Sequence, residues 1–267
     1  MIKPGEIQQK ARKLAVRDQQ IEKDYILSWI LFGISKNEQL SKTLAFKGGT
    51  VLKKAYFEDY RFSEDLDFTM LDHETDYKTV IGWFKKTFEF IKEEANIPLE
   101  FNTEEIREEE NINFHIGYVG PLGGQGSNKK VKVDISRNEK LVFDPVLKNI
   151  FIDYSDIEKY QLLCYSLEEV LIEKMRSIMQ RMQARDFYDL WYLLVNHEIY
   201  VEFYVNEFIE KCKNKGLQAA DFHRKIIERL PQYKGRWQSS LKEQINELPE
   251  FDKVERETLK RIKKLKI

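Results

Sequence analysis

Asp65 and Asp67, in the segment Ser63-Glu-Asp-Leu-Asp-Phe68, are the residues whose type and spacing most directly suggest chemistry. On a strand, positions i and i+2 share a face, so both carboxylates would project to one side while Leu66 anchors the other. Two like charges that close repel, and one pKa rises unless a cation lies between them. Mg²⁺ (or Mn²⁺) suits such a pair, because Mg²⁺ takes one or two carboxylates and fills its shell with water and phosphate oxygens. A solvated acidic turn is the competing explanation, and Asp-x-Asp alone does not decide between them.

The upstream residues tip the balance. A short apolar run over 43–46 leads through Lys47 into Gly48-Gly49-Thr50, and a helix-like Val51-Leu-Lys-Lys-Ala-Tyr56 follows. Strand, tight turn and helix in that order let backbone N–H groups approach phosphate oxygens, with the helix N-terminus adding partial positive charge. Thr50 would cap the helix and bond a phosphate. An ordinary strand–turn–helix connection has the same local pattern. A phosphate cradle followed by two carboxylates on a strand is more specific, since phosphoryl or nucleotidyl transfer needs positioning and metal binding together. Asp134, in the alternating run Lys132-Val-Asp-Ile-Ser136, adds a third carboxylate to help activate an attacking hydroxyl.

Those residues need elements to hold them. Residues 5–36 carry a helical period, 66–70 read as a strand, and 76–95 as an amphipathic helix. From 97 to 153 short alternating runs suggest a hairpin around the glycine-rich loop 120–126, which lacks a Walker lysine pattern. After residue 155 the pattern is helical, with helices expected over 166–183, 186–196, 200–213, 218–229, 237–247 and 251–265. The expected fold class is α+β: a mixed sheet with flanking helices in a nucleotidyltransferase-like domain over 1–154, then a helical domain over 155–267 contributing to the active-site cleft.

A second concentration of charge lies in that helical part. Lys174, Arg181 and Arg185 are seven and four apart, which puts them on one face if the helix is continuous. Asp186 and Asp189, three apart, would face together at the start of the next helix. A solvated face with internal ion pairs is the plain account. Beside a phosphate site, Lys174 would instead neutralise a triphosphate and Asp189 would hold Lys174 or the base in place. Phe187, Tyr188, Trp191 and Tyr192 read as packing residues. The basic run from Leu259 to the end reads as a solvated helix terminus before it reads as an RNA contact.

Composition narrows the class. Lys plus Arg (44) nearly cancel Asp plus Glu (45), so any polyanion would have to meet a local patch. Cys164 and Cys212 have no CxxC spacing, and the four histidines have no ligand spacing, so neither a disulfide framework nor a zinc site is expected. Without a signal-like or membrane-length apolar run, the expected compartment is the cytoplasm.

Lys47-Gly-Gly-Thr50, Arg61-Phe-Ser-Glu-Asp65-Leu-Asp67, Lys132-Val-Asp134-Ile-Ser, Lys174 and Arg185-Asp-Phe-Tyr-Asp189-Leu occur in an order that resembles the AbiEii/AbiGii nucleotidyltransferase toxins, of the polymerase-β-like superfamily. Ile21-Glu-Lys-Asp-Tyr25 is similar to that family's N-terminal helix. The resemblance implies the toxin of a toxin–antitoxin or phage-defence pair that uses a nucleoside triphosphate and Mg²⁺. It implies an RNA acceptor such as the tRNA 3′ end, and a separately encoded antitoxin as partner. Under it Asp65, Asp67 and Asp134 form the metal and catalytic set, joined by Lys174 and Asp189. Lys47, Gly48, Gly49, Thr50, Ser63, Lys174 and Arg185 bind the nucleotide, while Arg61 braces the carboxylate strand. Two rival readings use the same residues: a nucleotide-binding regulatory or defence module without turnover, and a kinase-like phosphotransferase.

Overall fold

The helical signal of residues 5–36 is carried by two helices rather than one, α1 (Pro4–Leu14) and α2 (Asp18–Lys36). Ala15 takes a left-handed conformation, φ 52°, and its N–H closes onto the Ala11 and Arg12 carbonyls, which ends α1. Apolar periodicity has no means of registering one left-handed residue. In α2, Ile21, Tyr25, Ile26, Leu27, Ile30 and Leu31 are all fully buried, as expected of a helix apolar around most of its circumference.

The computed structural model describes residues 1–102, 111–124 and 129–267. The chain forms two units: Met1–Glu139 with Pro145–Tyr165, and Lys140–Asp144 with Ser166–Ile267. The helical pattern suggested contiguous parts, 1–154 and 155–267; in the structure residues 140–144 group with the helical unit.

In the first unit, α3 (Glu38–Thr43) starts where the Asn37 side chain accepts from the N–H groups of Gln39 and Leu40, both at 3.1 Å. Then come β1 (Leu44–Lys47) and α4 (Gly48–Val51), which continues into a π-helical turn over Leu52–Tyr56. After β2 (Asp65–Met70) the amphipathic segment forms α5 (Tyr77–Ala95), capped by Asp76, whose carboxylate accepts from Thr79 N at 2.8 Å. β3 (Leu99–Phe101), β4 (Asn111–Tyr118), β5 (Lys130–Ser136), β6 (Val146–Asn149) and β7 (Gln161–Cys164) complete the unit. Residues 125–126 of the expected loop, with 127–128 after them, lie outside the described residues, but β4 and β5 do pair antiparallel on either side of it.

Among the described residues the sheet has seven strands, in the order β3-β4-β5-β2-β1-β7-β6. It is mixed: β2 runs parallel to β5, and β1 parallel to β7, while the other pairs are antiparallel. β7 corrects the reading of residues after 155 as wholly helical; at four residues it is too short for alternation to register. Leu66, Phe68, Val133, Ile135, Ile112 and Phe114 are buried on one face of the central strands, where Phe84 of α5 meets Phe114 edge-on at 5.1 Å. That packing leaves the alternate residues of β2 and β5 to the opposite face.

The second unit is helical. Ser166 caps α6 (Leu167–Gln180) by accepting from Glu169 N at 3.2 Å, and α7 (Ala184–Trp191) runs into a π-helical turn over Tyr192–Asn196. Then follow α8 (Val205–Lys213), α9 (Phe222–Leu241) and α10 (Phe251–Ile262). The two helices expected over 218–229 and 237–247 are one, α9, with Pro231 in its interior. Phe208 meets Phe222 at 5.1 Å before the proline and Phe187 stacks on Tyr233 at 5.1 Å after it, so α9 is held from both sides of Pro231 despite its missing N–H. Arg261 donates to the Leu194 carbonyl at 2.8 Å, and Ile262 and Leu265 are buried, so the basic C-terminal run is packed as a helix end. No described helix is long and apolar enough to cross a membrane.

Candidate active site

Strand register assembles the first cluster. Lys47 of β1 is paired with Asp67 of β2, Asp67 with Asp134 of β5, and Asp134 with Asn113 of β4. Directly paired residues share a face, so these four form a row across the sheet, on the side away from the Phe84 core. Asp65, two residues earlier on β2, joins the same face and is paired with Lys132. All three carboxylates are half-buried, open to a ligand yet partly screened from water. Lys132 Nζ lies 3.8 Å from Asp134, and Lys47 Nζ donates to Ser136 Oγ at 2.9 Å, so each lysine is held on the carboxylate face.

The glycine turn is fitted to this row. Gly48 has φ +80°, and a Cβ there would collide with the Asp67 carboxylate oxygen, so the backbone turns tightly around that side chain. A Cβ on Gly49 would stand 2.5 Å from the Arg61 guanidinium and 3.6 Å from Ser63 Oγ. Arg61 and Ser63 are both buried against the turn, and Arg61 also donates to the Phe62 carbonyl at 3.2 Å and lies over the Tyr60 ring. Arg61 is thus a brace beside the carboxylate strand. The Thr50 hydroxyl donates to the Asp65 carbonyl at 2.5 Å, tying the start of α4 to β2.

Three consecutive residues of α2 support these pieces. Glu22 accepts from Leu122 N at 2.8 Å and pairs with Lys129, at the two ends of the β4–β5 connection. Lys23 reaches Glu64 at 3.0 Å, next to Asp65. Asp24 holds the fully buried Lys54 at 2.8 Å in the helical turn behind Gly48-Gly49-Thr50. Burial alone would lower the Lys54 pKa; Asp24 and Asp153 outweigh it and hold it above its ordinary value.

The second cluster lies in the helical unit. Lys174 of α6, 5 % exposed, sits between Asp186 at 2.9 Å and Asp189 at 2.7 Å. Arg181 pairs with Asp186 at 2.7 Å. The continuous helical face expected for Lys174, Arg181 and Arg185 does not form: α6 ends at Gln180, Arg181 is extended, and half-buried Arg185 belongs to α7. Burial pushes the Asp186 carboxyl up, but Lys174 and Arg181 prevail and hold it below its ordinary value.

Among the described residues no three His, Cys, Asp or Glu side chains converge to hold a metal ion unaided. A cage built wholly by protein does not fit this donor set. An ion that leans on two carboxylates and draws its other ligands from water and phosphate does.

Comparison with known proteins accords with the motifs. The sequence matches the profile of the family described as "Nucleotidyl transferase AbiEii toxin, Type IV TA system" over residues 29–257. The chain belongs to the AbiEii nucleotidyltransferase toxin family. No curated protein matches the sequence. Among solved structures, the fold is similar to MenT4, a nucleotidyltransferase toxin of Mycobacterium tuberculosis, at 19% identity and TM-score 0.54, covering 74% of this chain and 73% of that one. It is also similar to JHP933 from Helicobacter pylori, at 16% identity and TM-score 0.58, covering 91% and 90%. This AbiEii protein is therefore a nucleotidyltransferase, the toxin of a type IV toxin–antitoxin system, and its family implies a nucleoside triphosphate substrate and an antitoxin partner.

Sequence reasoning overlooked two residues of the AbiEii carboxylate face. The Tyr165 ring lies 5.7 Å from Lys47 Nζ and its hydroxyl bonds to Thr69 at 2.5 Å; only the β1–β7 pairing brings it there. Asn113 stands across from Asp134, and the register of β4 is the signal that finds it.

Proposed function

We propose that this toxin transfers a nucleotide from a triphosphate to a hydroxyl of an RNA, with the chemistry centred on Asp65, Asp67 and Asp134. One observation carries the reading: Lys47, Asp67 and Asp134 fall in a single cross-strand row, with the Gly48 turn wrapped around the Asp67 carboxylate. That arrangement offers a place for phosphates at one end and a proton acceptor beyond it.

The N–H groups of Gly48, Gly49 and Thr50, with Lys47 and Ser63, bind the β- and γ-phosphates. Asp65 and Asp67 hold Mg²⁺ (or Mn²⁺), which when bound supplies neutralising charge to the triphosphate. Asp134 accepts the proton of the attacking hydroxyl as its oxygen bonds the α-phosphorus, and the bond to pyrophosphate breaks. For Lys174, Arg185 and Asp189 the support is the resemblance in sequence. Under it Lys174 and Arg185 neutralise triphosphate charge and Asp189 positions Lys174, an ion pair that is present here. The RNA acceptor, such as the tRNA 3′ end, rests on the same resemblance.

The test incubates the purified toxin with each of the four nucleoside triphosphates, labelled at either the α- or the γ-phosphate, and total RNA. α-Label should enter RNA, and Asp65→Asn or Asp67→Asn should reduce incorporation at least about a hundredfold, as expected when charge stabilisation at the reacting phosphate is removed. Nucleotide binding without incorporation from any of the four would make the protein a binding module. Incorporation of γ-label would make it a kinase.

A further inference from the structure

The row across the sheet does not stop at the carboxylates. Asn113 follows Asp134 on β4, and the proposed reaction gives it no task. Its side-chain oxygen is shielded from solvent and, among the described residues, meets no hydrogen-bond donor. Buried amide oxygens almost always have a donor, and asparagine is a poor strand former, so an unmatched one on a strand needs a reason. On a substrate-binding face, the missing donor is a group of the substrate.

Direction along the row says which group. Lys47 and the Gly48 turn lie at the β1 end, where the proposed reading seats the leaving phosphates. Attack on the α-phosphorus runs roughly in line with departure of pyrophosphate, so the acceptor enters from the β5 and β4 end. Adjacent strands are about 5 Å apart, so an acceptor 3′-hydroxyl at Asp134 has its vicinal hydroxyl within reach of the next strand. A carboxamide suits that hydroxyl: it accepts and donates, as a hydroxyl does, and adds no charge beside Asp134.

We propose that Asn113 recognises a ribose hydroxyl at the reaction centre, namely the 2′-hydroxyl of the acceptor's terminal nucleotide, and so restricts the toxin to RNA ends. This rests on the transfer reaction proposed above and names the residue that selects its acceptor. A 2′-hydroxyl is the group by which a protein distinguishes RNA from DNA at a given site.

The experiment takes the RNA that the wild-type toxin labels, remade with a terminal ribose, 2′-deoxyribose or 2′-O-methylribose. Wild type should favour the ribose end about tenfold or more over both analogues, as for one lost hydrogen bond. The 2′-O-methyl end is included because it cannot donate to Asn113, and that arm needs no variant. Asn113→Ala should use the ribose end at the wild type's 2′-deoxy rate, with the KM for the triphosphate and the melting temperature unchanged. Preference retained in Asn113→Ala, or absent in wild type, would overturn the proposal while leaving transfer itself intact. So would a variant defect confined to the choice between ribo- and deoxyribonucleoside triphosphates, which would assign Asn113 to the nucleotide. Wild type that labels no RNA at all would sink the transfer reading, and this inference with it.

Discussion

Gly48 is where backbone and chemistry meet most closely. Its φ of +80° and the Asp67 carboxylate packed against its Cα are separate demands, and either alone would exclude a side chain. Gly48→Ala should therefore cost roughly 1–2 kcal/mol of backbone strain and also push Asp67 out of the row. Transfer should fall by about a hundredfold or more, the scale seen when a group acting on the reacting phosphate is displaced. Thermal melting should show only the modest backbone penalty. A variant as active as wild type would mean that Asp67 does not need its present position. At this scale much was legible in the sequence, because Asp65 and Asp67 are close in the chain and Gly48-Gly49-Thr50 has a local signature. Asn113 and Tyr165 were not, since each acquires its place from a strand pairing that no short window contains.

Among the elements, α2 has the widest reach. Successive helical residues point about 100° apart, so Glu22, Lys23 and Asp24 fan out to three different segments around the carboxylate face. The Asp24–Lys54 pair also has a readable pH signature through Asp153, 3.1 Å from Lys54. Burial raises the Asp153 pKa, but Lys54 and Lys10 overcome it and bring it from the ordinary 3.8 down to about 2. A carboxylate depressed on folding stabilises the native state above its unfolded pKa and loses that contribution as pH falls through the folded value. The melting temperature should therefore decline between about pH 4 and pH 2. In Asp153→Asn it should start lower at neutral pH and decline less over that interval; an unchanged acid profile would remove Asp153 from the account. Element identity was readable where a period ran long enough, as in α5. It failed at Ala15, where one left-handed residue splits a helix, and at Pro231, where aromatic packing carries a helix through a residue that usually breaks one.

On the scale of the whole molecule, the chain leaves the sheet-bearing unit after Glu139, spends Lys140–Asp144 in the helical unit, returns at Pro145 and leaves again at Ser166. A division read from the helical pattern assumes one crossing, and the extra excursion is held by a pair of residues far apart in sequence. Lys211 of α8 and Glu169 of α6 are both fully buried, 2.7 Å apart. Lys211 Nζ donates to the Lys140 carbonyl at 2.9 Å, and Glu169 accepts from Val142 N at 3.0 Å and Phe143 N at 2.9 Å. Between them they satisfy three backbone groups of the excursion, so the pair holds that segment as well as itself. Removing one partner leaves a buried charge without its counter-ion, a loss of about 3–5 kcal/mol, whereas replacing both with neutral residues of similar volume is far milder. Lys211→Met should accordingly lower the urea midpoint sharply, and adding Glu169→Gln should restore part of it. Both N–H groups donate to one Glu169 oxygen, so a carboxamide oxygen in its place can still accept from both, but the Lys140 carbonyl loses its Lys211 donor, so recovery should be incomplete. A double variant no better than Lys211→Met would show that the pair acts through its backbone bonds to 140–143 rather than through charge.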